Sequence, residues 1–264
     1  MIRVESLAVT FGQGTPLEKR ALDGIDISVE AGEFVSLIGS NGAGKSTLLS
    51  AIAGDVAPSA GRIVIEGEDV TRQSTARRSA RIARVFQDPL AGSCGQLTIE
   101  ENLALAAGRG SVRGLGRALT AERRALFRER VGALGLGLET RLQDRMALLS
   151  GGQRQALALI MATLAKSSML LLDEHTAALD PGMAEFVVDL TRHTVTDYRL
   201  TTLMVTHSMR QALDLGTRTI MLHEGKVVLD VSGDQRAGLT VDDLVEMFRR
   251  QRGQVLDDDA LLIG

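Results

Sequence analysis

The sequence predicts an α/β protein built on a parallel sheet, and three observations carry that prediction. Residues 39–47 read Gly-Ser-Asn-Gly-Ala-Gly-Lys-Ser-Thr directly after the apolar run Phe34 to Ile38, which satisfies the strand–glycine loop–helix pattern G-x-x-x-x-G-K-[ST]. From Met169 onward, an apolar run, a helical segment and a second apolar run alternate, the order of a parallel sheet. Between these two parts the periodicity turns helical, so the sheet is expected to be interrupted by a helical insert.

The elements follow in order. Ile2 to Val9, Ile25 to Val29, Phe34 to Ile38 and Arg62 to Ile65 read as strands, separated by turns at Gly12, Gly14, Gly32 and Gly67. Thr98 with Glu101 forms a capping box, and Leu157, Ile160, Met161 and Leu164 recur at helical spacing. Met169 to Leu172 and Leu203 to Val205 are the later strands, with a helix opened by Asp180-Pro181 between them. Thr240 to Arg249 reads as a final capped helix, and Gln254 to Gly264, with its run Asp257 to Asp259, as a loosely held tail. There is no internal repeat or low-complexity segment.

Composition narrows the function. A chain of 264 residues with 44% hydrophobic and 24% charged residues is ordinary for a globular protein of one or two domains. Its net charge of −3 gives no general attraction to nucleic acid. The single cysteine, Cys94, has no partner for a disulfide or a zinc site and reads as a small loop residue of a reducing compartment. The first residues lack the charged-then-apolar order of a secretory leader, and no stretch of about 18 uncharged apolar residues occurs. A cytoplasmic protein that does not itself cross a membrane is therefore expected.

The glycine loop carries the first piece of chemistry. Gly39, Ser40, Asn41, Gly42, Ala43 and Gly44 would wrap phosphates with backbone N–H groups, which a Cβ at the glycines would block. Lys45 is expected at the β- and γ-phosphates of a nucleoside triphosphate, Ser46 on Mg²⁺, and Thr47 at the helix start. Leu170 to Leu172 then end in Asp173 and Glu174. Here a buried strand would deliver one carboxylate to Mg²⁺, through water, and a second to polarise the attacking water. Ser150 and Gln153 form another capping box around Gly151 and Gly152, a helix start whose bare N–H groups suit an anion.

The pentapeptide Leu149-Ser150-Gly151-Gly152-Gln153, together with the glycine loop and Asp173-Glu174, resembles the signature of the ATP-binding cassette (ABC) ATPases. The resemblance covers nearly the whole chain. It implies a P-loop NTPase core of RecA type with an antiparallel β subdomain and an inserted α-helical subdomain. It places residues 1–87 and 166–252 in the core and 88–165 in the helical part, with 253–264 as a tail. It implies ATP sandwiched in a head-to-tail homodimer, with Ser150 to Gln153 of one copy facing the phosphate loop of the other. By the same resemblance Gln87 contacts Mg²⁺ and the lytic water, and Asp180 lies in the loop crossing the dimer interface. His207 contacts the γ-phosphate, and Phe11 stacks on adenine. One departure stands out: many members place Pro after the catalytic Glu, whereas His175 follows it here. A titratable ring tuning the base and a neutral space-filler are the two readings. His193 and His223 are expected at surface or strand-end positions.

The family's long coiled-coil insertions and tandem cassettes are absent from this sequence. The loop Asp88 to Gln96 and the stretches around Asp173 and His207 resemble the ATP-binding subunit of bacterial uptake systems of tryptophan/tyrosine type. That implies two transmembrane permease subunits and an extracytoplasmic substrate-binding protein, with the chain peripheral on the inner face of the cell membrane. An exporter or lipid-transport subunit, or a soluble assembly ATPase of the iron–sulfur type, stays open beside it. Arg77, Arg78, Arg81 and Arg84, and Arg123, Arg124, Arg128 and Arg130, are candidates for anionic lipid or a permease; Glu122 and Glu129 make the second group an ordinary solvated face. No aromatic residues accompany them for nucleic-acid stacking.

Overall fold

The computed structural model describes residues 1–111 and 116–252, so the expected tail Gln254 to Gly264 lies outside the described residues. Along the chain run β1 (Ile2–Phe11), β2 (Lys19–Val29), β3 (Phe34–Gly39), α1 (Lys45–Ala53), β4 (Ala60–Ile65), β5 (Glu68–Asp69), α2 (Thr75–Arg78) and β6 (Ile82–Val85). There follow α3 (Ile99–Ala107), α4 (Ala121–Gly132), α5 (Gly151–Leu164), β7 (Met169–Asp173) and α6 (Pro181–Tyr198). The last stretch holds β8 (Thr202–Val205), α7 (Met209–Leu215), β9 (Arg218–His223), β10 (Lys226–Ser232), α8 (Gly233–Ala237) and α9 (Val241–Arg252). The chain divides into two compact units, one formed by 1–78 with the segment from 199 onward, the other by Ser79–Tyr198.

In the first unit an antiparallel sheet runs in the order β2-β1-β4-β5. The alternation of β1 slips between Val4 and Leu7, where Ser6 takes a positive φ of 46° and its N–H donates to the Asp26 carboxylate at 2.7 Å. This is a bulge that resets which residues face inward. The other strands of this unit run β10-β9-β3-β8, with β3 parallel to both neighbours and β10 antiparallel to β9. All six residues of β3 are buried. A strand covered on both faces reads as a near-continuous apolar run, as Phe34 to Ile38 does with Ser36 as its one polar residue. A small core of Ile38, Met209, Ala212, Met221, Leu244 and Phe248 seats α7 and α9. Thr240 opens α9 by exchanging hydrogen bonds with Asp243.

In the second unit β6 and β7 pair in parallel, Arg84 opposite Leu171. The helical stretch has its own core, in which Ile99, Leu103, Phe127, Val131, Leu138, Met146 and Leu157 are fully buried. Thr98 and Glu101 close the expected capping box on α3. The unit is wider than the helical stretch alone, because it also contains β6, β7 and α6.

Candidate functional site: a phosphate loop and an Asp-Glu strand end

The glycine loop joins β3 to α1 in the first unit. Gly39, Gly42 and Gly44 hold positive φ values of 148°, 78° and 101°, which side chains rarely tolerate. Space forbids substitution at two of them: a Cβ on Gly39 would lie 2.2 Å from the Leu222 carbonyl, and one on Gly44 would lie 2.6 Å from that of Ala21. The loop thus keeps its backbone bare because its surroundings leave no alternative. Lys45 is buried, and its Nζ donates to the carbonyls of Gly39 at 2.7 Å and Ser40 at 3.1 Å. The cation is already aimed back across the loop. α1 begins at Lys45, two residues before Thr47, with Gly44 as its N-cap. A helix start carrying bare N–H groups and a lysine is a site for polyphosphate.

Two more predicted residues belong to this unit. Phe11 ends β1 and is 44% exposed, so it is no core residue. His207 follows β8 and precedes Ser208, whose side chain caps α7 through the Gln211 N–H.

The second unit carries Gln87, Ser150, Gly151, Gly152, Gln153, Asp173, Glu174 and Asp180. Asp173 is the last residue of β7 and is buried. Its Oδ2 accepts from Arg84 Nη2 at 2.7 Å. Glu174 turns the chain with a positive φ of 45°, and its carbonyl accepts the Ala177 N–H at 3.0 Å. Asp180 is the N-terminal cap of α6, its side chain accepting from Met183 N–H. Ser150 and Gln153 complete the expected capping box at 3.2 and 3.1 Å. A Cβ on Gly152 would lie 2.6 Å from Cε and 2.9 Å from Cγ of Met183 on α6, so that side chain would have to move to admit one.

Two tethers carry no signal in the sequence. Gln155 of α5 is fully buried and donates to the Phe86 carbonyl at 3.1 Å, tying that helix to the residue before exposed Gln87. Arg84 and Asp173 form the other. They also correct the arginine reading: Arg84 is committed to Asp173, and Arg78 is buried among backbone carbonyls, so neither is available to lipid. Only Arg77 of that group is exposed. His175 is buried, and burial lowers its pKa from 6.5 to about 4, which makes it a neutral ring. His223 sits at the end of β9 with its ring edge-on to Phe248. His193 and Cys94 are exposed.

The fold and these elements define an ATP-binding protein of the phosphate-loop class. Residues 22–177 match the ABC transporter family. The chain is 42% identical over 248 residues to a tyrosine transport ATP-binding protein of Clostridioides difficile, covering 94% of this chain and 98% of that one. It is 37% identical to the phosphonates import ATP-binding protein PhnC of Paraburkholderia xenovorans, over 98% of this chain and 85% of the relative. Its fold matches the solved dimer of the ATP-binding cassette MJ0796 bound to ADP and Pi, with a TM-score of 0.75, 28% identity, and 88% and 98% of the two chains covered. The chain belongs to the ABC transporter family and is an ATP-binding, ATP-hydrolysing transporter subunit.

Proposed function

We propose that this chain powers a bacterial importer of amino acids or similar small solutes. It works at the inner face of the cell membrane beside two permease subunits, with an extracytoplasmic substrate-binding protein delivering the cargo. The observation that carries the reading is the likeness, along nearly the whole chain, to the tyrosine transport protein. The import named for the phosphonates relative supports the direction. Among the described residues no helix is long and apolar enough to cross a membrane.

Residue roles follow from the chemistry present. The backbone from Gly39 to Thr47 and the Lys45 ammonium bind the phosphates of ATP, while Phe11 stacks on the base. The Ser46 hydroxyl, Gln87 and Asp173 are the oxygen donors that would hold Mg²⁺, an ion for which one carboxylate plus substrate phosphates suffices. When bound it neutralises charge building on the phosphates. Glu174 accepts the proton of the attacking water and His207 orients the γ-phosphate. Two copies close head to tail on ATP, with Ser150 to Gln153 of one facing the loop of the other and Asp180 at their interface. Residues 88–165 act as the helical subdomain of a single cassette, and reopening after hydrolysis resets the permease.

The test is an affinity pull-down of this chain from its own membranes in mild detergent with non-hydrolysable ATP. A permease that comes with a substrate-binding protein supports import. A permease without one moves the chain to export, and soluble partners alone move it to an assembly ATPase.

A further inference from the structure

His175 directly follows the residue assigned as the base, and no role above uses it. The backbone it follows is unusual. Glu174 has a φ of +45°, a left-handed conformation that is strained for a non-glycine residue and persists only where its surroundings hold it. A proline after the Glu would stiffen that turn through its own ring. A histidine leaves its own backbone free, so any constraint this residue adds comes through its side chain.

The side chain provides one. His175 is 3% exposed, and its Nε2 lies 2.9 Å from Thr191 Oγ1. Thr191 is fully buried on α6, and its hydroxyl donates to the Val187 carbonyl at 2.7 Å. A threonine hydroxyl has a single proton. With that proton given to Val187, Oγ1 accepts, and His175 is the donor through Nε2–H. The direction is therefore fixed along the whole relay, from imidazole to hydroxyl to helix backbone. We propose that His175 is a positioning residue for Glu174, pinning the left-handed turn that carries the base to helix α6 through Thr191. This rests on the reading of Glu174 as the base.

The experiment compares steady-state ATP hydrolysis, affinity for a fluorescent ATP analogue, thermal unfolding and amide exchange for the wild type, His175→Ala, His175→Gln, Thr191→Val and Glu174→Gln. His175→Ala and Thr191→Val are each expected to lower kcat about tenfold with KM and analogue affinity within about twofold, a loss confined to the chemical step. The double variant His175→Ala/Thr191→Val, measured alongside, is expected to be no worse than either single one, since both cut the same relay. His175→Gln, which keeps an N–H donor at the end of the side chain, is expected to recover at least half of the lost rate. Exchange at the Ala177 amide, bonded to the Glu174 carbonyl, is expected to speed up in His175→Ala and Thr191→Val. Thr191→Val preserves packing volume and serves if His175→Ala does not fold. Wild-type kcat in Thr191→Val, additive losses, or KM moving in step with kcat would each overturn the proposal. Glu174→Gln hydrolysing at the wild-type rate would instead remove the base reading beneath it. Inactive Glu174→Gln beside fully active His175→Ala overturns the positioning role alone.

Discussion

Arg84 grips Asp173 from the neighbouring parallel strand: Nη2 donates to Oδ2 at 2.7 Å, while the guanidinium carbon stands 4.6 Å from the centre of the Phe86 ring. The two side chains are only 12% and 11% exposed. A pair this dehydrated is costly to break from one side, because the remaining charge keeps its desolvation penalty and loses its partner. Arg84→Met is expected to cost about 3 kcal/mol in urea unfolding, and Arg84→Met with Asp173→Asn to recover most of it. A single-variant loss within about 0.5 kcal/mol, the range of an ordinary surface change, would show that the pair does not stabilise the fold.

Arg78 answers a different need. The last carbonyls of a helix lack partners further along it, and Arg78 reaches two at the end of α1, Nη1 donating to Ala51 at 2.6 Å and Ile52 at 2.9 Å, while in the loop before α2 its Nη2 donates to Thr71 at 2.8 Å and its Nε to Gln73 at 3.1 Å. One rigid fork serves four carbonyls in three directions, which an ammonium cannot imitate. Arg78→Lys is expected to lower stability by about 2 kcal/mol, read by thermal or urea unfolding. An unchanged midpoint would mean that water satisfies those carbonyls equally well.

Local chemistry was legible in the sequence and distant pairing was not. The capping boxes at Thr98 and Ser150 and the cap at Asp180 each close within three residues, so a short window contains both partners. The glycine loop was legible because steric exclusion writes itself as glycine. Arg84 and Asp173 are 89 positions apart, Gln155 and Phe86 are 69, and His175 and Thr191 are 16, and nothing in either partner announces the other. Charge alone groups Arg78 and Arg84 with surface arginines, whereas tertiary packing decides which of four neighbouring cations is covered. The hairpin β9–β10 escaped notice although Gly225 marks its turn, because Arg218, Lys226 and Asp230 interrupt the apolar alternation. Those charges are used in place: Arg218 binds the Asp230 carboxylate across the hairpin.

The glycine loop supports a prediction that separates binding from folding. Gly39→Ala adds a Cβ where the Leu222 carbonyl stands 2.2 Å away, so β3 or β9 must shift. It is expected to weaken ATP binding at least tenfold and to cost about 2 kcal/mol of stability. Lys45→Ala removes the donor to Gly39 and Ser40 without adding bulk, and is expected to lose ATP affinity with a smaller change in stability. Calorimetric titration with ATP and unfolding of both variants check this; a Gly39→Ala protein that binds ATP normally would exclude the steric account.

His175 links stability to pH with a definite sign. The ring takes a proton near pH 6.5 when unfolded, whereas burial lowers the folded value to about 4. Between those values only the unfolded chain binds the proton, so the contribution of the neutral buried ring is complete above pH 6.5 and is lost progressively as pH falls towards 4. The slope approaches about 1.4 kcal/mol per pH unit, which amounts to a loss on the order of 3 kcal/mol across the window. Urea unfolding at pH 7.5 and pH 5 should therefore show a larger drop for the wild type than for His175→Gln, whose side chain does not titrate. Equal drops in the two proteins would mean that the acid sensitivity comes from carboxylates elsewhere, and that the buried imidazole is protonated as readily in the folded chain as in the unfolded one.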